Sequence, residues 1–370
     1  MHIAIDGHTI GTQLAGNVTY ASQITESLAA IDQQNDYTLY VTLPEAEEQY
    51  RDRWPNVHVH RLVMGGRVAR QLFSFRGILN EHRPDIFFVQ FNAPGRLPCK
   101  VVNTVHDLAF EHYPETFRWH EAFRMRVSIR RAAREAAHII TPSEASREDV
   151  VGTYRIPAEK ITAIPLAASG DFRPDIEAEK IAAVKARYSL PDDFILGIGS
   201  VQPRKNLARL IEAYASLAIK GDLPPLILGG RLAWLYRDSV RAVERFGVGD
   251  KVKFIGFVPD EDLPRLYSAA TVFVYPSFFE GFGLPPLEAM ACGTPVITGD
   301  RTSLPEVVGD AGIMIDPYDV TAIAGAMERL LTDANLRSEM SARGIERAKT
   351  FSWEKTARET LKVFEQVMSA

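Results

Sequence analysis

Two acids, Glu280 and Glu288, bracket seven residues with two glycines and two prolines in EGFGLPPLE. Gly281 and Gly283 let backbone N–H groups approach a ligand with no Cβ in the way. Pro285 or Pro286 suits the first turn of a helix, LEAMA continues it, and Gly293 is a natural C′ residue. The stretch predicts a helix N-terminus with exposed donors, a ready anion site. Carboxylates repel a phosphate, so the two acids need other partners, and hydroxyls are the obvious ones because an ionised carboxylate accepts O–H donors. A ligand with phosphates in the middle and hydroxyls on both sides is a nucleotide sugar. The competing reading is local: Glu280 ends a strand and Glu288 favours the helix start through the macrodipole.

Three other places carry residues suited to the same ligand. In VQPRKNLARL, Arg204 and Lys205 precede a helix with Asn206 as its candidate N-cap. Two cations at a helix start oppose the dipole, whereas a diphosphate would use both the Arg fork and the Lys point charge. In TVHDLAFEHYPE, His106 and Asp107 end a strand, and the spacing matches neither H-x-x-E-H nor H-E-x-x-H zinc patterns. In GTQLAGNVTYASQI, Gly11 and Gly16 make a loop ahead of a helix, able to wrap a phosphate or an acceptor or simply to turn the chain. The D-x-D pair Asp260 and Asp262 reads as helix capping rather than a metal site. His58 and His60 lack a third ligand nearby and read as surface residues. GIGSVQ lacks the third Gly of a dinucleotide fingerprint, which speaks against nicotinamide binding.

These residues need elements to position them, and the chain supplies short apolar runs alternating with helical patterns. Strand candidates are HIAID, YTLYVTL, NVHVHRLV, DIFFVQF, KVVNTVHDL, AHIITPS and KITAIPL, then FILGIGSV, PPLILGG, KVKFIGFV, TVFVYPS, TPVITGD and AGIMID. Several are unbroken apolar runs, as parallel strands covered on both faces require. Leu207, Leu210, Ile211, Tyr214 and Leu217 recur at helical spacing between two of them. The alternation implies two doubly wound α/β layers, where ligands bind beyond the carboxyl ends of the strands. All four places lie there. The stretch 167–193 holds Gly, Ser and two prolines around a charged helical piece and marks the domain boundary. A closing amphipathic helix carries Trp353, Ala357, Leu361, Phe364 and Met368 as its apolar stripe.

Bulk numbers fit this reading. The chain's 370 residues suit two domains. Charged residues at 24% and hydrophobic ones at 46% describe a soluble globular protein. A net charge of -5 argues against a nucleic-acid partner. Cys99 and Cys292 form no disulfide framework or zinc spacing, in keeping with a reducing, cytoplasmic setting. MHIAIDGHTIG reads as a first strand rather than a signal peptide.

On these motifs the chain resembles the retaining glycosyltransferases of family four, which have the GT-B fold. The E-x7-E motif is met by EGFGLPPLE within PSFFEGFGLPPLEAMACGTPVI. GFVPDEDLPRLYSAA, TSLPEVVGDAGIMIDP, TVHDLAFEHYPE, TPSEASRED and IPLAASGDFRP are also similar to that family. The resemblance implies two Rossmann-like doubly wound domains facing a central cleft. Residues 1–168 would be the acceptor-side domain, with the helix 353–370 packing back on it, and 169–352 the nucleotide-sugar domain. It also implies roles: Glu280 on donor-sugar hydroxyls, Glu288 on the ribose, and backbone groups of Phe282, Gly283 and Leu284 on the diphosphate and sugar. Arg204 and Lys205 would neutralise the leaving charge, and Val258 would touch the base through its backbone. His106 would lie against the donor sugar near the reacting carbon, and Gly16 would close over donor and acceptor. The chain departs from many members in having Ser200, not Arg, directly after Gly199, which passes that task to Arg204.

The expected activity is transfer of a hexose, with retention, from a nucleotide diphosphate sugar to a saccharide or lipid-linked saccharide. GDP-mannose is the first expectation for the donor and UDP-glucose or UDP-N-acetylglucosamine the alternative. A 2-epimerase or a silent sugar-nucleotide-binding protein are the other classes. No metal or cofactor is expected, because cations and a helix end can stabilise the departing diphosphate. GGRVARQLFSFRGIL and FRWHEAFRMRVSIRRAARE interleave arginines with apolar residues. Such helices would either dock peripherally on anionic lipid at the inner face of the membrane or carry plain solvated Arg faces.

Overall fold

The structure is a computed structural model that describes residues 1–12, 16–62, 75–93 and 95–369. Thirteen parallel strands form among these residues, one within each apolar run read as a strand candidate. The chain divides into two compact units. One holds Met1–Leu108, His120–Leu166 and Ser352–Ala370; the other holds Ala109–Trp119 and Ala167–Phe351.

The first unit is built on β1 (His2–Asp6), β2 (Asp36–Val41), β3 (Val57–Arg61), β4 (Ile86–Gln90), β5 (Lys100–Thr104), β6 (His138–Thr141) and β7 (Ile161–Ala163). They are ordered β3-β2-β1-β4-β5-β6-β7. The second unit holds β8 (Ile195–Ile198), β9 (Leu226–Gly229), β10 (Val252–Gly256), β11 (Val272–Tyr275), β12 (Val296–Gly299) and β13 (Ile313–Ile315). Their order is β10-β9-β8-β11-β12-β13. Each sheet runs outward from its first strand to one side, then restarts on the other. The reversal falls between β1 and β4 in one unit and between β8 and β11 in the other, the position at which open α/β sheets hold ligands.

Position in the sheet explains the strand sequences. IFFVQ of β4 and VFVY of β11 are buried at every residue and lie inside their sheets. VHVHR of β3 and VKFIG of β10 hold polar residues and are half-exposed, because both are edge strands. His58 is exposed, and His60 packs edge-on against His82 at 5.0 Å.

Helices follow the expected faces with two corrections. In Leu207–Ala218 the whole stripe Leu207, Leu210, Ile211, Tyr214 and Leu217 is buried. The last helix, Trp353–Ser369, buries Trp353, Thr356, Ala357, Thr360, Val363, Phe364 and Val367. Leu361 is only half-buried and Met368 is exposed, so the inner face is rotated from the purely apolar stripe. The threonines go inside because their hydroxyls find carbonyls: Thr356 Oγ1 donates to Pro165 at 2.6 Å and Thr360 Oγ1 to Thr356 at 2.8 Å. This helix packs on Gly16–Ile31 within the first unit, with Phe364 edge-on to Phe88.

The second correction concerns the acids of VPDEDLP. Asp262 precedes the helix Leu263–Ala269 but makes no side-chain cap. It is fully buried and accepts from Arg187 at 2.6 Å and Tyr188 at 2.8 Å. Asp262 thereby fastens the helix Ala178–Tyr188, the charged piece of the boundary stretch, to the second unit.

Candidate active site

At the reversal point of the second unit, the loop after β8 meets the loop after β11. Gly230, after β9, completes the crossing at φ +139, with its backbone so near Gly199 that a Cβ there would lie 2.0 Å from the Gly199 oxygen. Only glycine fits. Pro203–Lys205 forms one 3-10 turn, and Asn206 follows at φ +59. Asn206 is not the side-chain N-cap that its place before a helix suggested. Its amide instead donates to the Pro276 and Pro317 carbonyls at 3.0 and 2.6 Å, tying the cation turn to the loops after β11 and β13.

This scaffold brings Arg204, Lys205 and Glu280 into one ion cluster. Lys205 Nζ lies 2.7 Å from Glu280 Oε1, and an Arg204 terminal nitrogen lies 3.0 Å from Glu280 Oε2. All three side chains are close to buried, at 12% exposure for Arg204, 11% for Lys205 and 9% for Glu280. Ser277 donates to Glu280 Oε1 at 2.5 Å, Lys205 also donates to the Tyr275 hydroxyl, and Arg204 donates to the Phe279 carbonyl. Burial alone would raise the Glu280 carboxyl, but Arg204 and Lys205 overcome it and bring it down to about 2. Glu280 is thus an ionised acceptor at neutral pH. Both cations pair with the same carboxylate, four residues ahead of the next helix in the chain.

That helix, Leu284–Ala291, begins at Gly283 with φ +115, where a Cβ would lie 2.8 Å from Leu304 Cδ2. The turn is held from TSLPE. Thr302 Oγ1 accepts the Glu280 N–H at 3.0 Å, and Ser303 Oγ lies 2.7 Å from the Phe282 oxygen and 2.9 Å from that of Glu280. The donors at this helix start are not exposed as expected: Glu280, Phe282 and Leu284 are all at 9% exposure or less. The helix start is recessed, and in such buried surroundings fixed donors and charges act more strongly.

Glu288 sits further along the same helix in different surroundings. It is buried, and its Oε2 accepts from the Tyr267 hydroxyl at 3.2 Å. Burial, with Asp260 adding to it, raises its carboxyl to about 7. The two acids of EGFGLPPLE therefore differ sharply, one fixed as an anion and the other half-protonated near neutrality. Val258 is buried just past β10, whose Gly256 oxygen accepts the Gly230 N–H at 2.7 Å.

In the first unit, His106 follows β5 beside that sheet's reversal point. It is buried, its Nε2 is 2.8 Å from Gln90 Oε1, and the Tyr20 ring meets it edge-on at 4.7 Å. Burial lowers its pKa to about 4, so it is neutral and its Nε2–H donates to Gln90. Gly16 opens the helix Gly16–Ile31, exposed, with nothing within 4 Å of where a Cβ would stand. Residues 13–15 of its loop lie outside the described residues.

Sequence reasoning missed the supporting side chains: Ser277, Tyr275, Thr302, Ser303, Tyr267 and Gln90. Gln90, a polar end to an otherwise apolar strand, was the one visible signal. Among the described residues, no group of three or more His, Cys, Asp or Glu is placed to hold a metal ion. The two cysteines are free.

Comparison with known proteins agrees with this architecture. Residues 15–168 match the model of Glycosyltransferase Family 4, and residues 182–347 that of Glycosyl transferases group 1. The chain is 38% identical over 311 residues to O-antigen chain mannosyltransferase B of Escherichia coli, covering 83% of this chain and 79% of that one. It is 34% identical to the serotype-specific mannosyltransferase WbdA of Escherichia coli over 74% of its length, but spans only 34% of that longer protein. The structure of Anabaena Alr3699/HepE in complex with UDP-glucose superposes with a TM-score of 0.77 at 18% identity, covering 99% of this chain and 100% of that one. The chain belongs to the family-four glycosyltransferases and is a hexosyltransferase of the GT-B fold.

Proposed function

We propose that the hexose is mannose, moved from GDP-mannose to a saccharide or lipid-linked saccharide with retention at the anomeric carbon and without a metal. The observation that carries the reading is the Glu280–Arg204–Lys205 cluster at the head of a recessed helix N-terminus. Its two cations and the helix N–H groups suit a departing nucleoside diphosphate, while ionised Glu280 suits the sugar hydroxyls. Phe282, Gly283 and Leu284 supply the backbone at that end. Glu288 serves the ribose and Val258 the base. His106, neutral and oriented by Gln90, serves the sugar near the reacting carbon, and Gly16 serves the loop that closes on donor and acceptor. Mannose is favoured because the relative of 38% identity is a mannosyltransferase. The UDP-glucose complex of the Anabaena neighbour supports a nucleotide sugar donor in general and keeps a UDP-sugar as the second reading.

The test is incubation with labelled GDP-mannose, UDP-glucose and UDP-N-acetylglucosamine and mixed saccharide acceptors, with and without EDTA, read by mass spectrometry. Transfer from GDP-mannose that survives chelation is expected. Transfer from a UDP-sugar alone overturns the donor, and activity lost to EDTA and restored by a divalent ion overturns the metal-free reading. An epimerised or unchanged donor would contradict transfer itself.

The acceptor side is read as membrane-linked. No helix among the described residues is long and apolar enough to cross a membrane. The helix Trp119–Glu135, however, exposes Trp119, Phe123 and Val127, at 81%, 65% and 58%, along one stripe. Arg124, Arg130, Arg131 and Arg134 are exposed on the same helix. Apolar anchors among cations suit an anionic bilayer, and so a cytoplasmic protein peripheral to the inner leaflet. Residues 65–74 of the other arginine-rich stretch lie outside the described residues. Sedimentation with phosphatidylglycerol vesicles, lost in Phe123→Glu and absent with phosphatidylcholine, is expected; equal recovery of both proteins in the supernatant refutes it.

A further inference from the structure

The segment Ala109–Trp119 follows β5 and His106 in the chain, yet it packs with the second unit. It lies against the two phenylalanines that lead into Glu280. Tyr113 stacks on Phe278 with 6.3 Å between centroids and 8° between planes. Tyr318 also stacks on Phe278, at 4.7 Å and 18°, and its hydroxyl donates to that of Tyr113 at 3.3 Å. His112 stacks on Phe279 at 5.5 Å, and Tyr113 meets Phe279 edge-on at 5.8 Å. A second anchor lies farther on. Trp234 Nε1 donates to the Thr116 carbonyl at 2.5 Å, and Phe117 stacks on the Trp234 ring at 5.7 Å. The segment is a strap fastened at two points.

The same two phenylalanines carry the backbone of the cation turn. The Phe278 N–H donates to the Arg204 carbonyl at 3.0 Å, and the Arg204 guanidinium donates to the Phe279 carbonyl. Displacing the ring pair therefore displaces Glu280 and Arg204 together. Val258 and Glu288, at the nucleoside end of the site, share none of these contacts.

We infer that His112 and Tyr113 are positioning residues: stacked on Phe279 and Phe278, they set the place of Glu280 and Arg204 for sugar transfer. The inference rests on the reading that Glu280 holds the donor sugar. Catalytic groups displaced by about 1 Å lose on the order of 100-fold in rate, while nucleoside contacts far from the turn persist.

The test compares Tyr113→Ala and Tyr113→Phe in the full-length enzyme. In Tyr113→Ala, kcat for transfer should fall about 10- to 100-fold, with the Kd for GDP within about threefold. Hydrogen exchange should quicken in residues 278–284 and stay unchanged in 263–275. Tyr113→Phe, which keeps the stack, should restore kcat to within about twofold. His112→Ala, which removes only the Phe279 stack, should show the same split more weakly and serves if Tyr113→Ala does not fold. Unchanged turnover and exchange in Tyr113→Ala would overturn the inference, as would a Phe variant as poor as the Ala variant. Parallel loss of GDP binding and turnover would also overturn it, because the strap would then be holding up the whole site. Glu280→Gln in the same assays separates the two ideas: equal loss of GDP affinity and turnover there sinks the sugar assignment, whatever Tyr113 does.

Discussion

Replacing Glu280 with Gln should separate stability from catalysis in this protein. The carboxyl is buried and yet brought down to about 2 against an ordinary 4.5. At about 1.36 kcal/mol per pH unit, that gap amounts to about 3 kcal/mol in favour of the charged form. Glu280→Gln removes the anion and leaves the Arg204 and Lys205 charges close together in a recessed site, so the empty protein should lose on the order of 3 kcal/mol. A nucleoside diphosphate supplies the missing negative charge. The variant should therefore bind GDP at least as well as the parent and gain more thermal stability from it, while transfer falls about 100-fold or more. Denaturant unfolding with and without GDP, calorimetric GDP titration and single-turnover transfer make the full assay. A stability loss under about 1 kcal/mol would mean that the cluster is not a true ion pair. GDP affinity falling as far as transfer would mean that Glu280 belongs to the nucleotide and not to the sugar.

Three further outcomes are expected. Lys205→Ala should remove about 2–4 kcal/mol of transition-state stabilisation, comparable to a lost oxyanion donor; near-normal kcat would refute its part in charge neutralisation. Glu288 is raised to about 7 in the empty site; in the proposed ribose role it accepts hydroxyls more strongly as the carboxylate. GDP affinity should therefore rise about tenfold between pH 6 and 8 and level off above, and Glu288→Gln should flatten the profile. The sign for stability is opposite: above its ordinary 4.5, Glu288 favours the folded state as pH falls from about 7 towards 4.5 and ceases to help as pH rises through 7. A titration by calorimetry in buffers of different ionisation heat reads the proton release directly. Gly283→Ala forces a side chain to φ +115 and within 2.8 Å of the Cδ2 of fully buried Leu304, so something must shift. The variant should lose about 1–3 kcal/mol in urea unfolding, and a melting curve identical to the parent's would refute the strain.

Much of the architecture was legible because it depends on local pattern. Apolar runs broken by helical periodicity dictate parallel strands covered by helices, and glycines, prolines and acids in EGFGLPPLE dictate a turn into a helix. Which strand is an edge, however, depends on strand order, so the histidines of β3 and the lysine of β10 acquired a reason only in the sheet. The buried face of the last helix was misjudged for a related cause. A threonine looks polar in a sequence, yet its hydroxyl is satisfied inside, by the tertiary Pro165 carbonyl for Thr356 and by the helix's own carbonyl for Thr360.

At the site the division is sharper. Sequence by itself determined that two carboxylates, an Arg–Lys pair and a glycine turn occur, each after a strand, since residue type and backbone demand are local properties. Tertiary structure decided their chemistry. Strand order puts the loop of β8 against that of β11, where Arg204 and Lys205 make Glu280 a permanent anion. Eight residues further on, without a cation beside it, the same side chain at Glu288 is left near 7. Charge state follows distance and burial, and neither is written along a chain.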